Sequence, residues 1–255
     1  MDEMWNQIGY SIAKNIEKIV MPLFGTRKAG ENVGTNVSGD VTKYVDRLAE
    51  DVALEALKPL PVNIVSEEIG TLDRGSDYTV VIDPIDGSYN FSVGVPVFAF
   101  SFGVFKGRKP VYGSVYEFTT GRYFEGIPGK GAYLNGERIR VKPLPPERAA
   151  LSLYTRGRGT ELAGMVKRIR VLGAIAVELS YLAMGSLQAV VDVRNYVRPT
   201  DIAAACIIAK EAGALVVDDG GRELRLELNA EAGNNIVAAS SEELLEMILG
   251  VMKGG

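Results

Sequence analysis

The sequence predicts a layered fold of mixed α+β and α/β class, with an α+β first half over 1–145 and an α/β second half over 146–255 packed as one compact unit. Two observations carry this expectation. Over 97–141, β-branched and aromatic runs alternate with turn pairs such as KG, TG, GK and NG, the pattern of an antiparallel meander. After the proline-rich VKPLPPER, short apolar runs alternate with helical stretches, as they do where helices cover a sheet. At 255 residues with 47% hydrophobic side chains, the chain can bury a large core.

Taken in order, Trp5, Ile8, Ile12, Ile16, Ile19 and Val20 recur at helical spacing and predict a first helix with one buried face. Lys14, Glu17 and Lys18 interrupt it, so it does not read as a signal peptide. FGTRKAGENVGTNVSGD has no apolar period and reads as a long connection or a mobile loop. A second helix should start near Asp40 or Val41 and run through Val45, Leu48, Val52 and Leu57 to the stop at Pro59 and Pro61. VNIV and YTVVI read as short buried strands. Beyond the meander come strand ALSLY, a helix over 161–168, strand RVL, a helix over 175–184 and strand LQAVVDV. A helix over 200–213, strands ALVV and NIVAAS, and a final helix from Glu242 complete the chain.

Composition removes several function classes. The net charge of −4 supplies no basic field for nucleic acid. With no histidine, His-based triads and His-ligated zinc are excluded. The single cysteine, Cys206 in DIAAACIIA, excludes an internal disulfide, suits a reducing compartment and reads as a small core residue. No run approaches a membrane span, and the expected location is cytoplasmic.

Chemistry must therefore run on carboxylates, hydroxyls, lysine, arginine or a metal. In VVIDPIDGS a buried strand delivers Asp83 at its carboxyl end, Pro84 ends the pairing, and the turn returns Asp86 beside it. Gly87 and Ser88 then offer backbone N–H groups of the kind that receive phosphate at a helix start. The same string is also a run of good turn formers. Two carboxylates so close are stable near neutral pH only with a proton or cation between them, and magnesium suits an all-oxygen site better than zinc. SEEIG, directly after VNIV, places Glu67 and Glu68 at the end of a neighbouring strand. Asp201 in RPTDIAAAC and Asp40 and Thr42 in GDVTKYVD stand at expected helix starts, where each also reads as a cap.

The strings GDVT at 39–42, SEEIG at 66–70, DPIDGSYNF at 83–91 and DIAAA from Asp201 resemble, in order and spacing, the inositol monophosphatase superfamily of Mg²⁺-dependent, lithium-sensitive sugar phosphatases. The resemblance spans nearly the whole chain. It implies a five-layer αβαβα sandwich of the sugar phosphatase type, a homodimer, and hydrolysis of small phosphate monoesters by in-line attack of water. By resemblance, Glu67, Asp83 and the Ile85 carbonyl would hold one Mg²⁺, and Asp83, Asp86 and Asp201 a second. A weaker third ion would lie near Glu67, and Mn²⁺ is an alternative metal. Ser88, where the family often has threonine, would orient the attacking water with Glu67. Asp40 and Thr42 would support them, and the Gly87 and Ser88 N–H groups would receive the phosphate.

Two departures bear on substrate. Thr200-Asp201 stands where many inositol monophosphatases have Trp-Asp, which keeps the ligand. Arg194 stands where inositol-specific members place a glutamate, and a guanidinium there suits an anion. With Arg170, the backbone over 173–175 including Ile175, and Tyr154 and Tyr196 nearby, it implies a pocket for a second phosphate. The expectation is a dual fructose-1,6-bisphosphatase and inositol-1-phosphatase, as in archaeal and other prokaryotic members. The alternatives are a phosphatase for 3′-phosphoadenosine 5′-phosphate or another nucleotide, and a non-catalytic sugar-phosphate binding protein. The segment 24–39 is expected to close over the metals, bringing Lys28 or Glu31 near.

Overall fold

The computed structural model describes residues 2–231 and 233–254. Helix α1 (Asp2–Val20) buries Trp5, Ile12, Ile16 and Val20 along one face. Two 3-10 turns, Met21–Leu23 and Arg27–Gly30, lead to a hairpin of β1 (Asn32–Thr35) and β2 (Val41–Lys43), and then to α2 (Tyr44–Leu57). The second helix thus begins later than the sequence predicts, and the connection before it is partly ordered as strand. The Asn36 side chain accepts the N–H groups of Ser38 and Asp40 at 3.0 and 2.9 Å. That closes a turn which puts Asp40 at the hairpin and Thr42 in β2 rather than at a helix start.

The first sheet contains β3 (Asn63–Ser66), β4 (Gly70–Leu72), β5 (Tyr78–Asp86), β6 (Ala99–Lys106), β7 (Lys109–Glu117), β8 (Arg122–Ile127), β9 (Gly131–Leu134) and β10 (Glu137–Ile139). Short helix α3 (Ser88–Val93) follows β5. The spatial order is β10-β9-β8-β7-β6-β5-β3-β4, so the expected meander supplies five of the eight strands. Only β3 and β5 run parallel, and both deliver their carboxyl ends to one edge.

The second sheet is built from β11 (Ala150–Tyr154), β12 (Arg168–Arg170), β13 (Ala189–Val197), β14 (Leu215–Val217) and β15 (Asn234–Ala239), in the order β12-β11-β13-β15-β14. Its helices are α4 (Leu162–Met165), α5 (Ile175–Ala183), α6 (Pro199–Glu211) and α7 (Glu242–Gly254). The helix expected over 161–168 shrinks to α4, and the following strand starts earlier. The reason is that residues 168–170 pair in parallel with 150–152.

Three large apolar cores separate the layers, and a smaller cluster of Val65, Val81, Phe105, Ala203 and Ile207 lies between α6 and the first sheet. One lies between α1, α2 and the first sheet, one surrounds α5 and α6 between the sheets, and one lies between the second sheet and α7. The result is the five-layer αβαβα order. Helix α6 approaches the first sheet closely: a Cβ at Gly113 would stand 2.7 Å from the Ala204 carbonyl oxygen, and one at Gly126 would stand 2.7 Å from Ile208 Cα. This contact fixes where the first turn of α6, and Asp201 with it, meets the end of β5. No described helix is long and apolar enough to cross a membrane.

Candidate active site

Strand β5 is buried from Val80 to its end, and it carries Asp83 and Asp86 into that end. The strand does not stop at Pro84 as the sequence suggests. Pairing with β6 resumes at Asp86, with the register shifted between Asp83 and Asp86, so Pro84 and Ile85 form a bulge. Asp83 Oδ1 accepts the Ile85 N–H at 2.9 Å, which shapes that bulge. Asp86 Oδ2 accepts the Ala176 N–H at 2.7 Å, so the start of α5 points at this acid.

Gly87 turns the chain into α3 with φ +87. A Cβ there would meet the Val97 carbonyl oxygen at 2.9 Å and Ala174 Cβ at 3.0 Å, so only glycine lets the 172–174 segment lie against the turn. Ser88 follows as the first residue of α3, and its Oγ accepts Lys43 Nζ at 2.9 Å.

Glu67 comes from the turn after β3, and Asp201 from the third position of α6, where its Oδ2 accepts the Arg198 N–H at 2.9 Å. Asp201 therefore caps the helix and also faces the cluster. One oxygen each from Glu67, Asp83 and Asp201 lies within 4.8 Å of the others. Three buried or half-buried carboxylate oxygens so placed suit a hard divalent cation, and the absence of imidazole and thiolate donors argues against a softer one.

The electrostatics agree with that fit. Burial pushes Glu67 well above the usual carboxylate range, and the charges of Asp201, Asp46, Glu68 and Asp86 push the same way. Asp83 is raised by burial and by Glu67, Asp86 and Asp201. Asp86 is raised by burial and Asp201, although the Ala176 N–H opposes this, and burial raises Asp201 too. Such a cluster holds its full negative charge only beside compensating positive charge.

Other expected residues are placed as follows. Thr42 Oγ1 donates to Glu68 Oε2, so Thr42 holds the neighbour of Glu67. Asp40 is half-exposed at the cluster edge and is bonded to Arg198. Arg194 lies 4.5 Å over the Tyr154 ring, with Nε and Nη2 on the buried Asp192 at 3.0 and 2.6 Å. It is therefore a fixed guanidinium and not a solvated one. The Tyr154 hydroxyl donates to Glu178 at 2.7 Å and accepts the Gly173 N–H at 2.7 Å, which anchors the backbone before Ile175. The Ile175 N–H is itself drawn to Asp86. Arg170 is exposed, with Nη1 on the Ile169 carbonyl at 2.9 Å. In the 24–39 segment, Lys28 stacks over Tyr44, at 4.9 Å from the ring centre.

Three residues escaped the sequence reading. Asp46 is buried in the first turn of α2, raised to about 6 by burial and stabilised in its charged form by Lys43 and by a hydrogen bond from Ser88. Lys43 reaches Ser88, and Arg198 bonds both Glu67 and Asp40. An available signal was a charged residue on a side of α2 that periodicity marks as buried. For Arg198 the signal was a cation three residues before a suspected ligand.

Known proteins resemble the chain over nearly its whole length. A model of the inositol monophosphatase family matches residues 1–253. A fructose-1,6-bisphosphatase/inositol-1-monophosphatase from Thermococcus kodakarensis is 62% identical over 253 residues, covering 99% of each chain. A fructose-1,6-bisphosphatase from Pyrococcus furiosus is 52% identical over 251 residues, covering 98% of this chain and 99% of the other. A crystal structure described as an inositol monophosphatase–fructose 1,6-bisphosphatase superposes with a TM-score of 0.94 at 51% identity, covering 97% of this chain and 99% of that one.

Proposed function

The chain belongs to the inositol monophosphatase family, and from that premise we propose that it is a Mg²⁺-dependent phosphatase acting on fructose 1,6-bisphosphate and inositol 1-phosphate. The observation that carries the mechanism is the oxygen triad of Glu67, Asp83 and Asp201 at the end of β5. With Asp86 and the Ile85 carbonyl beside them, these residues would hold two or three ions, with Mn²⁺ able to replace Mg²⁺. A bound divalent cation supplies Lewis acidity, lowering the pKa of water and neutralising the phosphate.

The chain's own groups supply orientation. Ser88 Oγ accepts from Lys43 and gives its hydrogen to Asp46, which leaves one lone pair to receive a hydrogen from the attacking water. Glu67, whose Oε1 bonds Arg198 in this structure, takes the second hydrogen of that water on its carboxylate. Thr42 steadies this edge through Glu68, and Asp40 does so through Arg198. The phosphate is received by the N–H groups of Gly87 and Ser88, where the positive φ of Gly87 turns the chain into α3. Arg194 retains three N–H donors after pairing with Asp192, and these suit the second phosphate of a bisphosphate. Arg170 and the backbone near Ile175 flank the sugar in the same reading. The active species is proposed to be a homodimer, with small sugar and inositol phosphates as substrates and no nucleic-acid or membrane partner.

Phosphate release from fructose 1,6-bisphosphate, inositol 1-phosphate and 3′-phosphoadenosine 5′-phosphate, with Mg²⁺ and with EDTA, tests this. Activity on the first two that EDTA abolishes is expected. Preference for the nucleotide would move the assignment to a nucleotide phosphatase, and activity indifferent to EDTA would remove the metal mechanism.

A further inference from the structure

Arg198 is a buried guanidinium, 7% exposed, inside a group of acids. Nη1 donates to Glu67 Oε1 and Nη2 to Asp40 Oδ2, while its own backbone N–H donates to Asp201. Its guanidinium carbon lies 5.8 Å from the Tyr196 ring centre, and the Tyr196 hydroxyl reaches Asp40 at 3.4 Å. One carboxylate, Glu67, therefore belongs both to this bidentate clasp and to the oxygen triad with Asp83 and Asp201.

From this double membership we infer that Arg198 is a built-in counter-cation that competes with the divalent ion for Glu67. With no ion bound, Arg198 neutralises Glu67 and Asp40 and keeps the cluster folded. An ion held by the triad stands beside a fixed positive charge, and two cations a few ångströms apart in a half-dry cleft repel strongly. Loading then breaks the Arg198–Glu67 bond. Asp40, which is 45% exposed at the cleft edge, keeps the guanidinium and can move with it. Arg198 is thus a positioning residue that sets ion affinity, holding it below what the carboxylates alone would give.

The inference rests on the proposed ion site, and direct ion binding separates the two. Isothermal titration of EDTA-stripped protein with Mn²⁺ is compared for wild type, Arg198→Met and Arg198→Lys. The Met variant is expected to bind its first ion about tenfold tighter, within the usual range of coupling between two sites, with Lys intermediate. Its thermal midpoint should fall without ion and gain more than wild type on loading. Unchanged or weaker binding in the Met variant would overturn the inference, since a purely supporting arginine would lower affinity when removed. No Mn²⁺ binding to wild type would overturn the ion site itself. If the Met variant fails to fold, a crystal structure of Mn²⁺-loaded wild type decides: Glu67 released from Arg198 supports the competition, and Glu67 on both Arg198 and the ion overturns it.

Discussion

Asp86 Oδ2 accepts the Ala176 backbone N–H at 2.7 Å, which ties the last residue of β5 in the first sheet to the first turn of α5. An asparagine would keep the accepting oxygen and remove the charge. Asp86→Asn should therefore fold and, in EDTA, melt above wild type, because a buried repulsive charge is gone. Its Mg²⁺-dependent phosphate release should drop by about a hundredfold or more. A melting point below wild type in EDTA would show that the hydrogen bond, and not the repulsion, dominates at this position.

Gly87 has φ +87 and no room for a Cβ between Val97 and Ala174. Gly87→Ala should lose about 1–3 kcal/mol in urea unfolding, through strain and overpacking, and its KM should rise as the phosphate N–H groups shift. Unchanged stability would mean the 172–174 segment relaxes freely.

Much of this was legible in the sequence because its signals are local. The meander, the strand ending in Asp83 and the late helix opening on Asp201 each follow from side-chain period and turn chemistry within a few residues. The hairpin of β1 and β2 was not legible. It is held by the Asn36 side chain folding a loop, which hydrophobic period does not register. Asp46 and Arg198 were missed for a different reason. Each owes its role to partners far away in the chain, Ser88 for one and Glu67 for the other, and neither residue stands out from its neighbours in the sequence.

Asp46 is raised from 3.8 to about 6, so its charged form is penalised by folding. Its contribution is fully present below pH 3.8 and is lost as pH rises through about 6, a loss of up to about 3 kcal/mol in the ion-free protein. Glu67, Asp83, Asp86 and Asp201 shift in the same direction. Bound Mg²⁺ works the opposite way, because it takes carboxylates only when they are deprotonated. The difference in melting temperature between Mg²⁺-loaded and EDTA-stripped protein should therefore widen from about pH 5 to pH 7.5. A difference that stays constant over that window would contradict the carboxylate cluster as the ion site.

Arg194 neutralises Asp192, which is wholly buried. Arg194→Met leaves that charge unpaired and should lose about 3–5 kcal/mol, whereas Asp192→Asn combined with Arg194→Met should recover most of it. Kinetics on the double variant then isolate the substrate role. Its KM for fructose 1,6-bisphosphate should rise about tenfold or more while that for inositol 1-phosphate changes little. Equal changes for both substrates would remove Arg194 from the second-phosphate pocket.

Glu67 and Asp83 hang from the first sheet, whereas Asp201 hangs from the helix that leads into the second, so a cation held by all three is a rivet driven through both layers. Its grip measures how well they are docked. As the protein is warmed, ion release should come before general melting, and the residence time of the metal becomes a gauge of the first loosening of the sandwich.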